Sequence, residues 1–120
     1  MKLLDAMYSI VSDEGQQLRL QLHPEHEIYQ AHFPGNPITP GVCLIQIVAE
    51  LAGRQLQCDL ALRRVVNLKF AAPVSPKDTP MIDVVLSSVD EQESFVKVKG
   101  TIADAATGAV MTKYSLEFKR

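Results

Sequence analysis

Leu18, Leu20 and Leu22 alternate with Arg19 and Gln21, the period of a strand with one buried face. His23-Pro24 ends that strand, and a turn over Ser12–Gln16 separates it from an earlier one. Glu25–Gln30 has the length of one short helical turn. Pro34, Gly35, Pro37, Pro40 and Gly41 then crowd into eight positions, which rules out regular structure and predicts a stiff loop. Gly41–Leu56 reads as a helix, with Thr39 as its N-cap and Pro40 as its first residue. Its apolar positions run nearly all round (Val42, Cys43, Leu44, Ile45, Ile47, Val48, Leu51, Leu56), so the helix is expected inside the protein. Gln46, Glu50 and Arg54, spaced by four, form one polar stripe.

The remainder reads as strands. Val66, Leu68 and Phe70 alternate before the breakers Pro73 and Pro76, and Met81–Ser88 is rich in β-formers. Phe95–Ile102 follows a polar turn at Asp90–Ser94. Val110, Thr112, Tyr114, Leu116 and Phe118 share a face after a turn at Asp104–Gly108. Such short connections suit antiparallel neighbours rather than βαβ crossovers. Two strands, one buried helix and about four more strands predict an α+β fold with the sheet curled round the helix. A single small sheet leaves edge strands, which predicts pairing into a dimer.

Composition narrows this picture only a little. At 120 residues the chain has the length of one domain, large enough for a core without staples. A net charge of −2 excludes broad nucleic-acid binding. The two cysteines, Cys43 and Cys58, form no paired framework and fit a reducing cytoplasm. The N-terminus is a poor signal peptide, because Asp5 interrupts a very short apolar stretch, and no apolar run suits a bilayer.

The candidate chemistry lies where the stiff loop meets the helix. His32 precedes the loop, and histidine is the usual general base near neutral pH. The Gly41 N–H opens the helix with no intrahelical partner, at the positive end of the dipole. It suits a carbonyl oxygen that gains negative charge. A base and an oxyanion donor at one junction suit proton abstraction beside a thioester carbonyl. A hydrogen-bonded loop histidine fits position 32 equally well.

The run His32-Phe33-Pro34-Gly35-Asn36-Pro37-Ile38-Thr39-Pro40-Gly41-Val42 resembles the signature HFPGxPxxPGV of the hot-dog-fold (3R)-hydroxyacyl-ACP dehydratases. Lys69-Phe70-Ala71-Ala72-Pro73-Val74-Ser75-Pro76-Lys77-Asp78 is similar to that family's KFRRPVxPGD. The resemblance implies a hot-dog fold, an antiparallel β-sheet wrapped around one long central helix, and elimination of water from 3-hydroxyacyl thioesters with no cofactor or metal. It implies His32 as base at the substrate's α-carbon. It implies Gly41 N–H as partner of the thioester carbonyl, with Phe33, Pro40 and Val42 around the substrate. It further implies an acyl-carrier-protein (or CoA) thioester as substrate. The active site is implied to lie between two subunits, histidine from one and a helix carboxylate from the other.

At the carboxylate the chain departs from the family. Fourteen positions after His32 stands Gln46, which can hydrogen-bond but cannot supply a proton. Glu50, one turn later, stands where the family usually has glutamine, and Ala71 and Ala72 replace paired arginines. Three catalytic readings stay open. Glu50 takes the acid role from about 5.4 Å further along the helix. Alternatively, Gln46 positions a water or the hydroxyl, and the chain dehydrates slowly or acts as a thioesterase through Glu50. In the third, the chain is a weak or inactive partner subunit that lends His32 to a heteromeric dehydratase. Glu50 also stands i, i+4 from Arg54, the spacing of a simple ion pair.

Other features carry less. His23, His26 and His32 with Glu25 have some metal-ligand spacing, against solvated loop histidines. Cys43 near a helix start has one feature of a reactive thiol, against a packed core cysteine. Arg54, Arg63, Arg64, Lys69 and Lys77 are candidates to meet an acidic carrier protein. Phe33, Ile38 and Phe70 are candidates to line an acyl tunnel, although core packing explains the same residues.

Overall fold

A computed structural model describes residues 2–31 and 35–120. In chain order the described residues form β1 (Tyr8–Asp13), β2 (Gln17–Leu22), α1 (Glu27–Ala31), α2 (Gly41–Leu56), β3 (Ala61–Phe70), β4 (Met81–Glu91), β5 (Phe95–Asp104) and β6 (Val110–Lys119). The strands make one antiparallel sheet in the order β1-β2-β4-β5-β6-β3. The hot-dog outline expected from the sequence is present, one long helix against a six-stranded sheet.

Register explains why the alternating positions become a core. Leu18 stands opposite Val84, Val84 opposite Ile102, and Ile102 opposite Thr112. All four are buried, so one row of inward side chains crosses four strands. Against this face α2 buries Cys43, Leu44, Ile47, Val48, Ala49, Leu51 and Ala52. Each fully buried aliphatic side chain contributes about 1.5–3 kcal/mol relative to exposure. At its far end α2 stops where Gln57 turns left-handed (φ 57°) and its N–H caps the Gly53 carbonyl.

β5 approaches its neighbours closely at Gly100. The Tyr114 hydroxyl donates to the Val85 carbonyl at 2.6 Å across this position. A Cβ on Gly100 would stand 1.8 Å from that carbonyl and 2.4 Å from the Tyr114 oxygen. Only glycine leaves room for the bond.

Three sequence expectations need correction. Thr39 does not cap α2: the N-cap is Pro40, with no side-chain cap bond. The Thr39 hydroxyl is bonded instead to the Tyr29 hydroxyl at 2.8 Å, and Pro40 is the cap rather than the first helical residue of a helix that keeps the bounds read for it, Gly41–Leu56. Glu50 does not pair with Arg54, whose guanidinium bonds the Asp13 carboxylate. Nor is α2 closed on every side, because Val42 is 65% exposed.

β3 shows the same opening. Its residues Leu62, Val65 and Phe70 stand opposite the buried Phe118, Leu116 and Thr112 of β6. They extend the core rows to the sheet edge, yet all three are exposed, Phe70 by 52%. The alternation Val66-Leu68-Phe70 was read as a strand and β3 is one, an edge strand with exposed apolar side chains.

Candidate functional site

The loop before α2 is pinned from both sides. The Tyr29–Thr39 hydroxyl bond is buried, and burial pushes the Tyr29 phenol up to about 12. The Thr39 N–H donates to the Val74 carbonyl at 2.7 Å. That bond ties the loop to the Pro73–Pro76 turn, the second stretch singled out in the sequence. Lys77 reaches back to the Gly35 carbonyl at 3.4 Å. His32 and Phe33 lie outside the described residues.

At the junction itself the Pro40 carbonyl accepts from Cys43 (2.9 Å) and Leu44 (3.2 Å). The Gly41 N–H is left as an end-of-helix donor at the positive pole. Phe70 lies over Gly41, and a Cβ there would meet the ring at 2.8 Å. Gly41, Pro40, Ile38, Leu44, Phe70, Ala71, Ala72 and Val74 enclose a mainly apolar cavity of about 400 Å³. An oxyanion donor beside an apolar cavity suits a carbonyl attached to an alkyl chain. Ala71 and Ala72, in place of paired arginines, line this cavity.

Gln46 and Glu50 form a second centre. The Glu50 carboxylate accepts from the Leu3 N–H (2.7 Å), the Leu4 N–H (2.8 Å), the Tyr8 hydroxyl (2.9 Å) and the Gln46 side-chain amide (2.9 Å). Two donors fall on each oxygen, which uses the roughly four lone-pair sites of a carboxylate. Burial and the adjacent Glu50 together push the Tyr8 phenol far above its ordinary value. Sequence reasoning missed these partners, because they come from the N-terminal segment more than forty residues away and no local pattern announces them.

Among the described residues the two centres line different cavities. Gly41 opens into the cavity under Phe70. Gln46 and Glu50 line a separate groove of about 900 Å³, with Lys2, Arg54, Gln57, Asp59 and Leu62 among its other walls. Pro40 lines the Gly41 cavity, whereas Val42 points away to solvent.

The remaining candidates resolve structurally. His23 bonds Ser9 Oγ at 2.7 Å and the Ala6 carbonyl at 3.1 Å, and His26 accepts from the Ile28 N–H at 3.1 Å. Both therefore hold local backbone and turn structure. No group of metal-ligating side chains occurs among the described residues. Cys43 is buried, and burial pushes its thiol up. That outweighs the helix-terminus effect and makes it a core residue. Arg64 is bonded to Glu117 at 2.9 Å, and Arg63 lies over the Phe95 ring at 4.5 Å. Lys69 stands exposed, directly opposite Lys113. No helix among the described residues is long and apolar enough to cross a membrane.

Known proteins resemble this chain in sequence and in fold. A 3-hydroxyacyl-(acyl-carrier-protein) dehydratase FabZ of Fusobacterium nucleatum is 36% identical over 89 residues, which cover 69% of this chain and 62% of that protein. The chain therefore matches less than two thirds of that relative's length. A FabZ of Rickettsia massiliae is 32% identical over 97 residues, covering 71% of this chain and 67% of its own. Among solved structures, the dehydratase heterocomplex ApeI:P from Xenorhabdus doucetiae shares the fold. Its TM-score is 0.62 at 19% identity, with 100% of both chains covered. Thioesterase superfamily member 2 from Mus musculus shares it too, with a TM-score of 0.60 at 11% identity, over 94% of this chain and 81% of that one. The family described as ApeI-like, ApeI dehydratase, matches residues 9–109. Across the loop, the central helix and most of the sheet, the chain belongs to the ApeI-like dehydratase family.

Proposed function

We propose that this chain is a dehydratase subunit that handles 3-hydroxyacyl thioesters carried on acyl carrier protein, in fatty-acid or polyene- or polyketide-type synthesis. The observation that carries the reading is the Gly41 junction, where the first residue of the helix, its N–H without a partner among the described residues, lines an apolar cavity of about 400 Å³. The thioester carbonyl sits on that N–H and its alkyl chain fills the cavity. His32 removes the α-proton, and negative charge develops on the carbonyl oxygen where the helix pole stabilises it. The β-hydroxyl then leaves as water if a donor protonates it. A reducing, cytoplasmic setting fits the two free cysteines.

The working unit is at least a dimer. Two features support it: the core rows that run out exposed on β3, and the separation of Gly41 from Gln46 into different pockets. A second copy against β3 covers the apolar edge and brings its own helix polar stripe toward the Gly41 cavity.

A second reading has its own support. Glu50 is occupied by four donors and the Gln46 amide is no acid, so neither helix residue protonates the leaving hydroxyl. A related subunit with a carboxylate at the equivalent helix position supplies it in a heterodimer. A thioesterase using Glu50 needs that same carboxylate released from its clamp, and is the least supported of the three.

One set of assays separates them. The purified chain is incubated with 3-hydroxyacyl-ACP, and enoyl product and free thiol are followed. Slow enoyl formation supports a dehydratase. Turnover only with a related subunit supports the partner reading. Thiol release supports the thioesterase, and overturns the proposal.

A further inference from the structure

We infer that Glu50 is a positioning residue that acts through Gln46 and makes the site select a 3-hydroxy over a 3-oxo substituent on the acyl thioester. The inference deepens the proposed reading and rests on it. A carboxylate only accepts hydrogen bonds. The Glu50 oxygen 2.9 Å from the Gln46 amide therefore requires the NH₂ end there. It fixes which end of the amide is which, so the other terminal atom of Gln46 is its carbonyl oxygen. The carboxylate cannot turn to allow the opposite arrangement. The same oxygen accepts from the Leu3 N–H, and its twin accepts from Leu4 and Tyr8.

Position 46 therefore presents an acceptor. A carbonyl oxygen has two lone pairs and can take a hydroxyl alongside another donor. A 3-hydroxyacyl thioester offers an O–H to it. A 3-oxoacyl thioester offers only another acceptor, and the two oxygens repel. Sites built to hydrogen-bond a substrate hydroxyl discriminate strongly against analogues that lack it. The Gln46/Glu50 exchange thus keeps a fixed contact between the two residues. It moves the charge into a clamp on the N-terminal segment and leaves recognition, without proton donation, at the place of the acid.

The test is binding of the full chain to two probes, a 3-hydroxyacyl and a 3-oxoacyl amide of pantetheine, each unable to be hydrolysed as a thioester. The wild type is expected to prefer the 3-hydroxy probe by about tenfold or more. Glu50→Gln frees the amide to turn and should bring the ratio near one. Gln46→Met leaves the clamp on Leu3, Leu4 and Tyr8 in place and should do the same. A folded Glu50→Gln or Gln46→Met that keeps the wild-type ratio overturns the inference. If Glu50→Gln does not fold, exchange of the Gln46 side-chain amide protons in the wild type decides. Protection relative to the exposed Gln57 supports it, and equal exchange overturns it. Failure of the wild type to bind either probe overturns the functional reading itself. Binding of both without preference overturns only this inference.

Discussion

In the proposed reading, position 46 is where a single side chain decides between recognising a substrate and turning it over. Gln46→Glu places a second carboxylate about 2.9 Å from that of Glu50. Two such groups cannot both ionise easily, so one keeps its proton to higher pH. That proton is the missing acid. The variant is expected to raise enoyl formation at least tenfold, with the gain disappearing as rising pH removes the shared proton; a rate profile against pH checks this. Tyr8→Phe should lower stability by about 1 kcal/mol, since it removes one donor from a clamped carboxylate; denaturant unfolding measures it. The sequence displayed the Gln46/Glu50 exchange because both lie on one helix stripe. It hid the clamp, because backbone N–H groups carry no residue signature and Leu3 and Leu4 read as ordinary apolar residues.

For the elements, legibility followed periodicity. β2 and the length of α2 emerged as expected, because Leu18-Leu20-Leu22 alternate strictly and the apolar run from Val42 to Leu56 is too long for a strand. α2 runs over Gly41–Leu56 as read, but its cap was misassigned because the Thr39 hydroxyl found a tertiary partner, Tyr29, that no local rule foresees. β3 came out as the strand that was read, but its exposure was not legible. Its alternation is real, but alternation reports a face that wants burial, not what buries it. Leu62, Val65 and Phe70 stay exposed, and the proposed dimer is what would cover them. Val65→Asp puts a charge into that edge and is expected to give a monomer by sedimentation, with loss of any enoyl formation. Unchanged assembly would place the interface elsewhere. Gly100→Ala meets the Val85 carbonyl and should destabilise by at least about 1–3 kcal/mol, the range for overpacking; thermal unfolding reads it.

At the scale of the whole molecule, the fold explains how the loop and the stripe divide the work. The sheet buries α2, the first residue of the helix lines the Phe70 cavity, and the stripe five residues on lines a different groove. The pH response follows from burial as well. Tyr8, Tyr29 and Tyr114 all have phenols pushed up by burial. The native state holds these protons where the unfolded chain releases them near pH 10. Stability is therefore complete below about pH 10 and falls as pH rises above it, which an alkaline unfolding series would show.

The account stands on elimination of water through His32 and the Gly41 junction. The most direct test follows 3-hydroxyacyl-ACP and enoyl-ACP by mass spectrometry, with wild type and His32→Ala compared alone and with a related carboxylate-bearing subunit. Enoyl formation by the wild type, abolished in His32→Ala under both conditions, is the expected result. Enoyl formation by His32→Ala equal to that of the wild type would contradict the account.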